Sequence, residues 1–453
     1  MKNQVVVIGA GLTGLTTAFY LKKAGVDVVV LEKKEQPGGV IQTHHENGFV
    51  FESGPNTGVL GSPEAAELME DLKEHCTLEI ANPEAKRRLI LKHGKWHDIP
   101  SGLIGGITTP LFSWYDKFRL LGEPFRKPGT NPHESLADLV KRRMGQSFLD
   151  YAIDPFILGV YAGDPSLLVP KYALPKLYNL EQDFGSFVGG AVKKSRMPKT
   201  DREKKATRDV FSVEGGLTNM INALVKEIGE DCIQCNCQDL TVEYIDANNY
   251  RVKTGDTSIE TPYVVTTSGA HTLPSMLNFI EPSMMDKIAN LKYARVIEAA
   301  IGFNDWQGGD IKAFGGLIPF KENRDILGVL FMNSFLKNRA PEKGALLTVF
   351  MGGVRKEELA NANDEEAREI IGRELTDLMK LPEFKPDLFK LVRYDYAIPQ
   401  YGADSGMRFA TVEQLEQQYQ GLIIAGNLRD GIGMADRIKQ GRTIAAELSE
   451  QFK

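Results

Sequence analysis

The sequence predicts an α/β protein that combines a parallel-sheet unit, a second mixed sheet and a helical insert. Two strand–glycine loop–helix units, one near each end of the chain, predict the parallel sheet, because crossover helices join parallel strands. The chain has 453 residues. That length exceeds what one hydrophobic core usually supports, so we expect more than one domain. A composition of 42% hydrophobic and 25% charged residues is typical of a globular protein.

The distribution of apolar residues also indicates where in the cell the protein is found. No apolar run approaches the roughly 20 residues of a membrane-spanning helix. The run Val5–Ile8 is too short to be the core of a signal peptide. The sequence therefore predicts a cytoplasmic protein, and we predict no nucleic-acid partner.

The four cysteines do not predict a disulfide framework in a chain of this length. Cys232, Cys235 and Cys237 form a cluster, but no second ligand pair of the kind that structural zinc needs stands nearby. We therefore predict no metal site. We expect buried structural thiols, with Cys235 and Cys237 on one face of a short strand.

The first strand–loop–helix unit begins at the N-terminus. Val5–Ile8 is a β-branched run typical of a buried parallel strand. It leads into Gly9-Ala10-Gly11-Leu12-Thr13-Gly14 and a helix that we expect to end before a capping glycine, Gly25. A second strand, Val26–Leu31, ends at Glu32. This order of strand, GxGxxG loop, helix, strand and acid predicts a dinucleotide-binding unit.

Each part of this unit has a physical role. Gly9 permits the tight turn, Gly11 lets the backbone approach a pyrophosphate, and Gly14 allows close packing of helix on strand. The helix N-terminus presents unpaired N–H groups and a positive dipole end to the phosphates. Glu32 accepts hydrogen bonds from a ribose diol and disfavours a 2′-phosphate.

Two segments that follow indicate which dinucleotide is bound. The Gly38-Gly39 pair of Gly38-Gly39-Val40-Ile41 resembles the second glycine motif of the FAD oxidases related to monoamine oxidase and phytoene desaturase. Phe51-Glu52-Ser53-Gly54-Pro55-Asn56-Thr57 resembles a form that is common in the porphyrinogen oxidase branch of that family. In that family an arginine often follows the glycine pair, whereas Val40 stands here. The resemblance implies that the cofactor is FAD, held by a Rossmann-like domain.

The second strand–loop–helix unit lies near the other end of the chain. Gly421–Asn427 is typical of a buried strand that runs into a turn, and an amphipathic helix extends to about Phe452. In the resembled family the intervening loop lies beside the flavin ring. A positive helix end there favours the reduced flavin, whose ring edge gains negative charge. A helix that only packs on the sheet is the alternative interpretation.

The most specific resemblance lies in the middle of the chain. The order Gly159-Val160-Tyr161-Ala162-Gly163-Asp164-Pro165, followed by Pro175-Lys176-Leu177, resembles the protoporphyrinogen/coproporphyrinogen oxidases in particular. Ala397-Ile398-Pro399-Gln400-Tyr401 matches the same family, although the histidine that follows this motif is absent here. Tyr394 stands where the family usually has a tryptophan near the flavin.

The resemblance implies an enzyme that oxidises protoporphyrinogen IX to protoporphyrin IX in haem synthesis. Six electrons leave in three steps, and O₂ accepts them to give H₂O₂. Coproporphyrinogen III is the alternative substrate, and another FAD amine oxidase or carotenoid desaturase is a more distant alternative. A non-enzymatic binding protein on the same scaffold predicts that no flavin is bound. We identify no acid–base residue, and the flavin carries the oxidation.

The site residues follow from the motifs and the resemblance. Asp239 is expected to meet the adenine through its backbone, and Arg88 is the candidate partner of a substrate propionate, because guanidinium binds carboxylate bidentately. A surface charge is the alternative role for Arg88. The residues assigned to FAD are Gly9, Ala10, Gly11, Leu12, Thr13, Gly14, Glu32, Lys33, Gly39, Val40, Gly54, Pro55, Asn56, Thr57, Asp239, Tyr394, Ile432, Gly433 and Met434. The residues assigned to the substrate are Arg88, Gly159, Ala162 and Gly163, whose small members allow close approach of a macrocycle.

We expect three domains. Residues 1–85, 206–269 and 396–453 form the FAD-binding domain, residues 86–98 and 270–395 the substrate-binding domain, and residues 99–205 the helical insert. Residues 86–208 contain 22 Lys and Arg against 12 Asp and Glu, a local charge of +10 that suits an anionic ligand or an anionic membrane surface. The insert is therefore a candidate membrane-docking region. The expected partners are the porphyrinogen and a ferrochelatase that receives the product, and the sequence does not indicate an oligomeric state.

Overall fold

A computed structural model describes residues 4–453 of the chain. Its strands, in chain order, are β1 Gln4–Ile8, β2 Asp27–Leu31, β3 Gln42–Glu46, β4 Phe49–Ser53, β5 Gly58–Val59, β6 Leu78–Ile80, β7 Arg88–Lys92, β8 Lys95–Asp98, β9 Val210–Val213, β10 Ile233–Gln234, β11 Thr241–Asp246, β12 Asn249–Thr254, β13 Thr257–Thr261, β14 Tyr263–Thr266, β15 Tyr293–Phe303, β16 Gly315–Leu317, β17 Ile326–Phe331, β18 Ala345–Gly352, β19 Leu388–Pro399 and β20 Leu422–Ile424. Its helices are α1 Leu12–Lys23, α2 Pro63–Asp71, α3 Gly102–Thr108, α4 Trp114–Leu121, α5 Leu136–Arg143, α6 Gln146–Phe148, α7 Asp154–Tyr161, α8 Pro170–Ala173, α9 Pro175–Phe184, α10 Phe187–Ser195, α11 Asp201–Lys204, α12 Thr218–Ile228, α13 Leu273–Met276, α14 Pro282–Ala289, α15 Met332–Phe335, α16 Asp364–Leu378, α17 Ser405–Gln418 and α18 Met434–Glu450.

The first sheet is parallel and has helices on both faces. Its strand order is β10-β2-β1-β14-β20, and every neighbouring pair runs parallel. Val5 and Val7 of β1 pack with α1, α12 and α18 on one face, whereas Val6 and Ile8 pack with α14 and α17 on the other. Alternate burial on two faces explains why β1 is apolar throughout. This sheet confirms the predicted Rossmann-like unit.

Helix α1 ends as the sequence predicts. Gly25 adopts a left-handed backbone with φ of +80°, which glycine accepts without steric cost. Its N–H donates to the Lys22 carbonyl at 2.9 Å, and the Val26 N–H donates to the Leu21 carbonyl at 2.9 Å. These two bonds satisfy the last carbonyls of the helix and turn the chain directly into β2.

The second sheet has seven strands in the order β19-β15-β18-β17-β16-β7-β8. Only the β16–β7 pair is parallel, so the sheet is mixed, as predicted. Helix α16 covers one face. The opposite face meets the β3–β4 ribbon at one end and α7 at the other.

Helices α3–α11 lie between β8 and β9 and form the predicted helical insert. Helices α4–α10 share a hydrophobic core that includes Leu136, Leu139 and Phe148. Arg143 and Glu123, both fully buried, form an ion pair at its centre, and the Ser186 hydroxyl donates to Glu123 at 2.6 Å. Among the helices within residues 4–453, none is long and apolar enough to cross a membrane. The domain boundaries at 85, 98, 205, 269 and 395 stay a prediction.

The expectation for the cysteine cluster is wrong in one respect. Strand β10 ends at Gln234, and Asn236 has a φ of +59°, so Cys235 and Cys237 lie in a loop and share no strand face. The loop turns here because the Cys237 N–H donates to the Glu32 carbonyl at 2.9 Å. Cys237 and Cys76 are buried, whereas Cys232 and Cys235 are half-buried.

Candidate cofactor and substrate site

The glycine loop after β1 makes room for a ligand at one position and for protein at another. A Cβ on Gly14 would lie 1.9 Å from the Gly9 carbonyl oxygen, so this glycine is needed for the packing of α1 on β1. A Cβ on Gly11 would meet no protein atom within 4 Å. Helix α1 starts at Gly11 without a side-chain cap. Open space therefore faces the uncapped N–H groups, which is what an approaching phosphate needs.

Glu32 lies at the end of β2 and is 7% exposed. One carboxylate oxygen accepts a hydrogen bond from the Ala10 N–H at 2.7 Å, and the other accepts one from the Lys34 N–H at 2.9 Å. A carboxylate has about four lone-pair positions, so acceptor capacity remains for a ribose diol. Lys33 is exposed beside it.

The second glycine motif contacts the first. The Gly38 N–H donates to the Ala10 carbonyl at 2.8 Å, and a Cβ on Gly39 would lie 3.2 Å from the Gly11 Cα. In the same way, a Cβ on Gly54 would lie 2.2 Å from the Val40 carbonyl oxygen. The structure therefore brings together three loops that contain predicted FAD residues: Gly9–Gly14, Gly39–Val40 and Gly54–Thr57.

Asp239 lies in the loop between β10 and β11, with a φ of +49°. Two contacts tie this loop to the end of β2. The Cys237 N–H bonds to the Glu32 carbonyl, and the Gln238 side-chain amide donates to the Lys33 carbonyl at 3.2 Å. Asp239 is thus near Glu32 along the edge where the adenosine half is expected.

The loop between β20 and α18 meets the first glycine loop at Thr267. The Thr267 hydroxyl donates to the Gly9 carbonyl at 3.1 Å, and a Cβ on Gly426 would lie 2.8 Å from the Thr267 carbonyl oxygen. Helix α18 also crosses α1 closely, because a Cβ on Gly441 would lie 2.6 Å from the Thr13 carbonyl oxygen. The two glycine loops from the two ends of the chain are therefore adjacent.

The residues at the start of α18 are exposed to different degrees. Ile432 is half-buried and packs against the core of the insert, Gly433 is exposed, and Met434 is buried. Gly433 begins α18 without a side-chain cap, as Gly11 does for α1. The Gly433 N–H donates to the Asp436 carboxylate at 3.1 Å, so α18 carries an acid in its first turn, whereas the first turn of α1 has none.

The residues present fit a bound FAD. The hydroxyl of Thr13, 4% exposed, has no hydrogen-bond partner among the described residues. It lies in the first turn of α1, beside the open space at Gly11. This hydroxyl is enclosed by protein, so the room for a phosphate lies at Gly11, where a Cβ would meet no protein atom within 4 Å.

The predicted substrate residues on α7 are mostly used for packing. A Cβ on Gly159 would lie 2.4 Å from Leu317 Cδ2, and one on Gly163 would lie 2.5 Å from the Gln400 side-chain oxygen. Ala162 is 3% exposed. These small side chains let α7 lie close to β16 and to the end of β19. Contact of a macrocycle with their backbone stays a prediction.

Arg88 lies on the sheet face that α7 covers. Its strand neighbours Leu89 and Leu91 belong to the core under α16, and Ile90 belongs to the core of the insert. Because side chains alternate along a strand, Arg88 points to the side of Ile90. It is exposed, and its guanidinium lies 5.4 Å from the centre of the Phe314 ring.

The sequence analysis assigned Tyr394 to the FAD site but missed the polar residues beside it, Glu298 and His44. Glu298 of β15 is 2% exposed and accepts a hydrogen bond from the Gly54 N–H at 2.8 Å. Tyr394 is hydrogen-bonded to Ser53, and its burial raises its pKa. His44 Nε2 lies 2.9 Å from the Ser53 hydroxyl. An acid within the apolar run from Val296 to Ile301 was the available signal.

Comparisons with known proteins agree with this arrangement. A family model described as flavin containing amine oxidoreductase matches residues 12–449. "Protoporphyrinogen oxidase 2, chloroplastic/mitochondrial" of Arabidopsis thaliana is 28% identical over 97% of this chain and 92% of its own length. "Coproporphyrinogen III oxidase" of Bacillus subtilis (strain 168) is 24% identical over 98% of each chain. A solved structure titled "Putative protoporphyrinogen oxidase" from Exiguobacterium sp. 255-15 has a TM-score of 0.82 at 22% identity, covering 100% of this chain and 99% of its own.

Proposed function

Because this chain belongs to the flavin containing amine oxidoreductase family over residues 12–449, we propose that it oxidises protoporphyrinogen IX to protoporphyrin IX. One observation carries the proposal. Proteins named protoporphyrinogen oxidase align with 97–98% of the chain, which includes the Gly159–Pro165 motif as well as the cofactor loops. An oxidase with a flavin cofactor is the class that the family implies.

The oxidation removes six electrons and six protons in three equal steps. Each step takes a hydride from a bridging carbon of the macrocycle and releases one proton, and one O₂ becomes one H₂O₂. Over the three steps, two of the released protons come from pyrrole N–H groups and the third comes from the fourth bridging carbon. Bound FAD supplies the hydride acceptor, which no amino-acid side chain offers. The chain supplies binding, orientation and electrostatics.

We assign three tasks to residues of this chain. The uncapped N-terminus of α1 binds the phosphates, and the start of α18, where Asp436 accepts from the Gly433 N–H, lies on the flavin side of the site. Arg88 binds a propionate of the substrate. The face of the seven-stranded sheet that carries Tyr394 and Glu298 closes the site on the side opposite the glycine loops.

Turnover of two substrates by purified, FAD-loaded protein tests this function. We expect porphyrin fluorescence to appear with protoporphyrinogen IX, with three H₂O₂ formed for each porphyrin. Non-enzymatic oxidation is measured with protein that has lost its flavin. A flavin-loaded protein that accelerates oxidation of neither porphyrinogen would refute the proposal.

Coproporphyrinogen III is the second candidate substrate. The Bacillus subtilis relative named coproporphyrinogen III oxidase has the same extent as this chain, with 98% of each covered. The two substrates differ in charge, because coproporphyrinogen III carries four propionates and protoporphyrinogen IX two. The ratio of kcat/KM for the two in the same assay decides between them.

We also propose that the insert docks on an anionic membrane surface. Helices α3 and α4 and the turn after them expose several large apolar side chains, and Trp114 is 63%, Phe118 68% and Phe125 90% exposed. Apolar side chains of this kind, together with basic residues, are typical of helices that lie in a membrane interface. Docking there would bring the porphyrin product to a membrane-bound ferrochelatase.

Flotation with vesicles tests the docking. The wild type is expected to float with vesicles that contain anionic lipid, and less so at high salt. Trp114→Ser with Phe118→Ser should remain at the bottom of the gradient, whereas Phe320→Ser, which removes an exposed apolar side chain outside the insert, should float like the wild type. Failure of the wild type to float at low salt would end this part of the proposal.

A further inference from the structure

Glu298 is a charged residue in the interior of a sheet. It lies midway along β15 and is 2% exposed. Its neighbours Ile297 and Ala299 pack under α16, so alternation places the Glu298 carboxyl on the opposite face, toward the Gly54–Asn56 loop. An acid at such a position is costly unless it has specific partners.

Among the described residues, both hydrogen bonds to the Glu298 carboxyl come from the loop that follows β4. One carboxyl oxygen accepts from the Gly54 N–H at 2.8 Å, and the other accepts from the Asn56 Nδ2 at 2.6 Å. The Thr348 hydroxyl donates to the Asn56 Oδ1 at 2.9 Å. Within residues 4–453, no lysine or arginine is ion-paired with Glu298. Hydrogen bonds, without a counter-charge, hold this carboxyl.

The surroundings place the ionisation of Glu298 near neutral pH. Burial raises its pKa most, the bonds from Gly54 and Asn56 lower it in part, and the negative charge of Glu52 also raises it, which together bring the pKa to about 7. The titratable groups on this face include Tyr394, His44, Arg88 and Lys390, which is ion-paired with Glu46. Burial lowers the pKa of His44. Arg339 is committed to Glu52. Both protonation states of Glu298 are therefore accessible.

We propose that Glu298 is a positioning residue that sets the orientation of the Asn56 side-chain amide according to its own protonation state. When ionised, Glu298 accepts from Asn56 Nδ2, as observed. When protonated, it donates a hydrogen bond, and Asn56 Oδ1 becomes the acceptor after the amide turns over. The turned amide then donates from Nδ2 to the Thr348 hydroxyl, which rotates to accept.

The turn of the amide changes which hydrogen-bonding groups of the loop are free. In the observed state Asn56 Nδ2 also lies 3.2 Å from the Gly54 carbonyl oxygen. Turnover removes that donor and leaves the carbonyl free to accept elsewhere. The Gly54 position touches Val40, which follows Gly39 beside Gly11. The inference rests on the proposed function, because the proposed function assigns this loop to the FAD site.

The absorbance and circular dichroism of the bound flavin report on the switch without substrate. We expect the FAD-loaded wild type to show a spectral transition with pH, with a midpoint near 7. Glu298→Gln donates from its amide at every pH, so its spectrum should match the low-pH form throughout. Glu298→Asp keeps a carboxyl and should show the transition at a displaced midpoint, and Glu447→Gln, which alters an exposed acid on α18, should behave like the wild type.

Two outcomes overturn the inference: a wild type with no transition near neutral pH, or a transition that persists unchanged in Glu298→Gln. If Glu298→Gln does not accumulate with bound FAD, Glu298→Asp takes its place. A spectral transition in Glu298→Asp with the same midpoint pH as in the wild type would then overturn the inference. Porphyrinogen turnover, measured on the same FAD-loaded protein, separates this inference from the proposed function. Spectral titration without porphyrinogen turnover leaves the Glu298 inference standing and refutes the function, and turnover without titration does the reverse.

Discussion

Replacement of Glu298 by glutamine should stabilise the protein at alkaline pH. The pKa of the folded protein's Glu298 is raised from 4.5 to about 7 by burial, and one pKa unit corresponds to about 1.4 kcal/mol. The shift therefore corresponds to about 3 kcal/mol. Below pH 4.5 the carboxyl is protonated in both the folded and the unfolded state, so it has no effect on stability. As the pH rises from 4.5 to about 7, the unfolded state loses the proton first and the folded state is destabilised.

The measurement is urea unfolding of the FAD-loaded proteins at about pH 4 and about pH 8.5, on either side of the transition. The free energy of unfolding of Glu298→Gln minus that of the wild type should be about 3 kcal/mol larger at the higher pH. Subtraction of the wild type removes the titration of all other groups. Glu447→Gln, an exposed acid, is the matched control and should show no such change. An equal difference at the two pH values would show that the Glu298 carboxyl is not buried as described.

Two further predictions concern the cofactor loop and the substrate cation. Gly11→Ala should fold normally, because its Cβ meets no protein atom within 4 Å, yet lose FAD at least tenfold in affinity, about 1.4 kcal/mol. The matched control is Gly106→Ala, whose Cβ also meets open space. Equal flavin content in the two purified proteins would contradict the assignment of Gly11. Arg88→Ala should raise KM for the porphyrinogen roughly tenfold with little change in kcat, as for loss of a charge-assisted hydrogen bond in uniform binding. Arg87→Ala is its control, because Arg87 is paired with Asp98 and Asp310, and an unchanged KM in Arg88→Ala would remove Arg88 from the site.

Local patterns predicted those parts of the fold that local physics determines. The strand, glycine loop and helix at residues 5–24 follow from residue types within one turn of each other, and the capping role of Gly25 needs only its own backbone freedom. The cysteine loop was misassigned because its turn is set by Glu32, about two hundred residues earlier in the chain. Its alternating residues carry no sign of that contact.

The polar side of the site depends on contacts that no sequence window contains. Glu298 bonds to Gly54 across 244 residues, and Asn56 bonds to Thr348 across 292. Gly159 and Gly163 were interpreted as space for a ligand, whereas the structure uses them to bring α7 against Leu317 and Gln400. A small residue in the sequence indicates that something approaches closely. Whether that is a ligand or another part of the protein depends on tertiary packing.

The meeting of the two glycine loops at Thr267 has a consequence for biosynthesis. Residues 9–14 leave the ribosome first, but the segment that completes their cradle, residues 426–441, is among the last to be made. The nascent polypeptide therefore carries half of a nucleotide pocket through most of its translation. A site that needs both glycine loops is therefore complete only after residue 441 has been made.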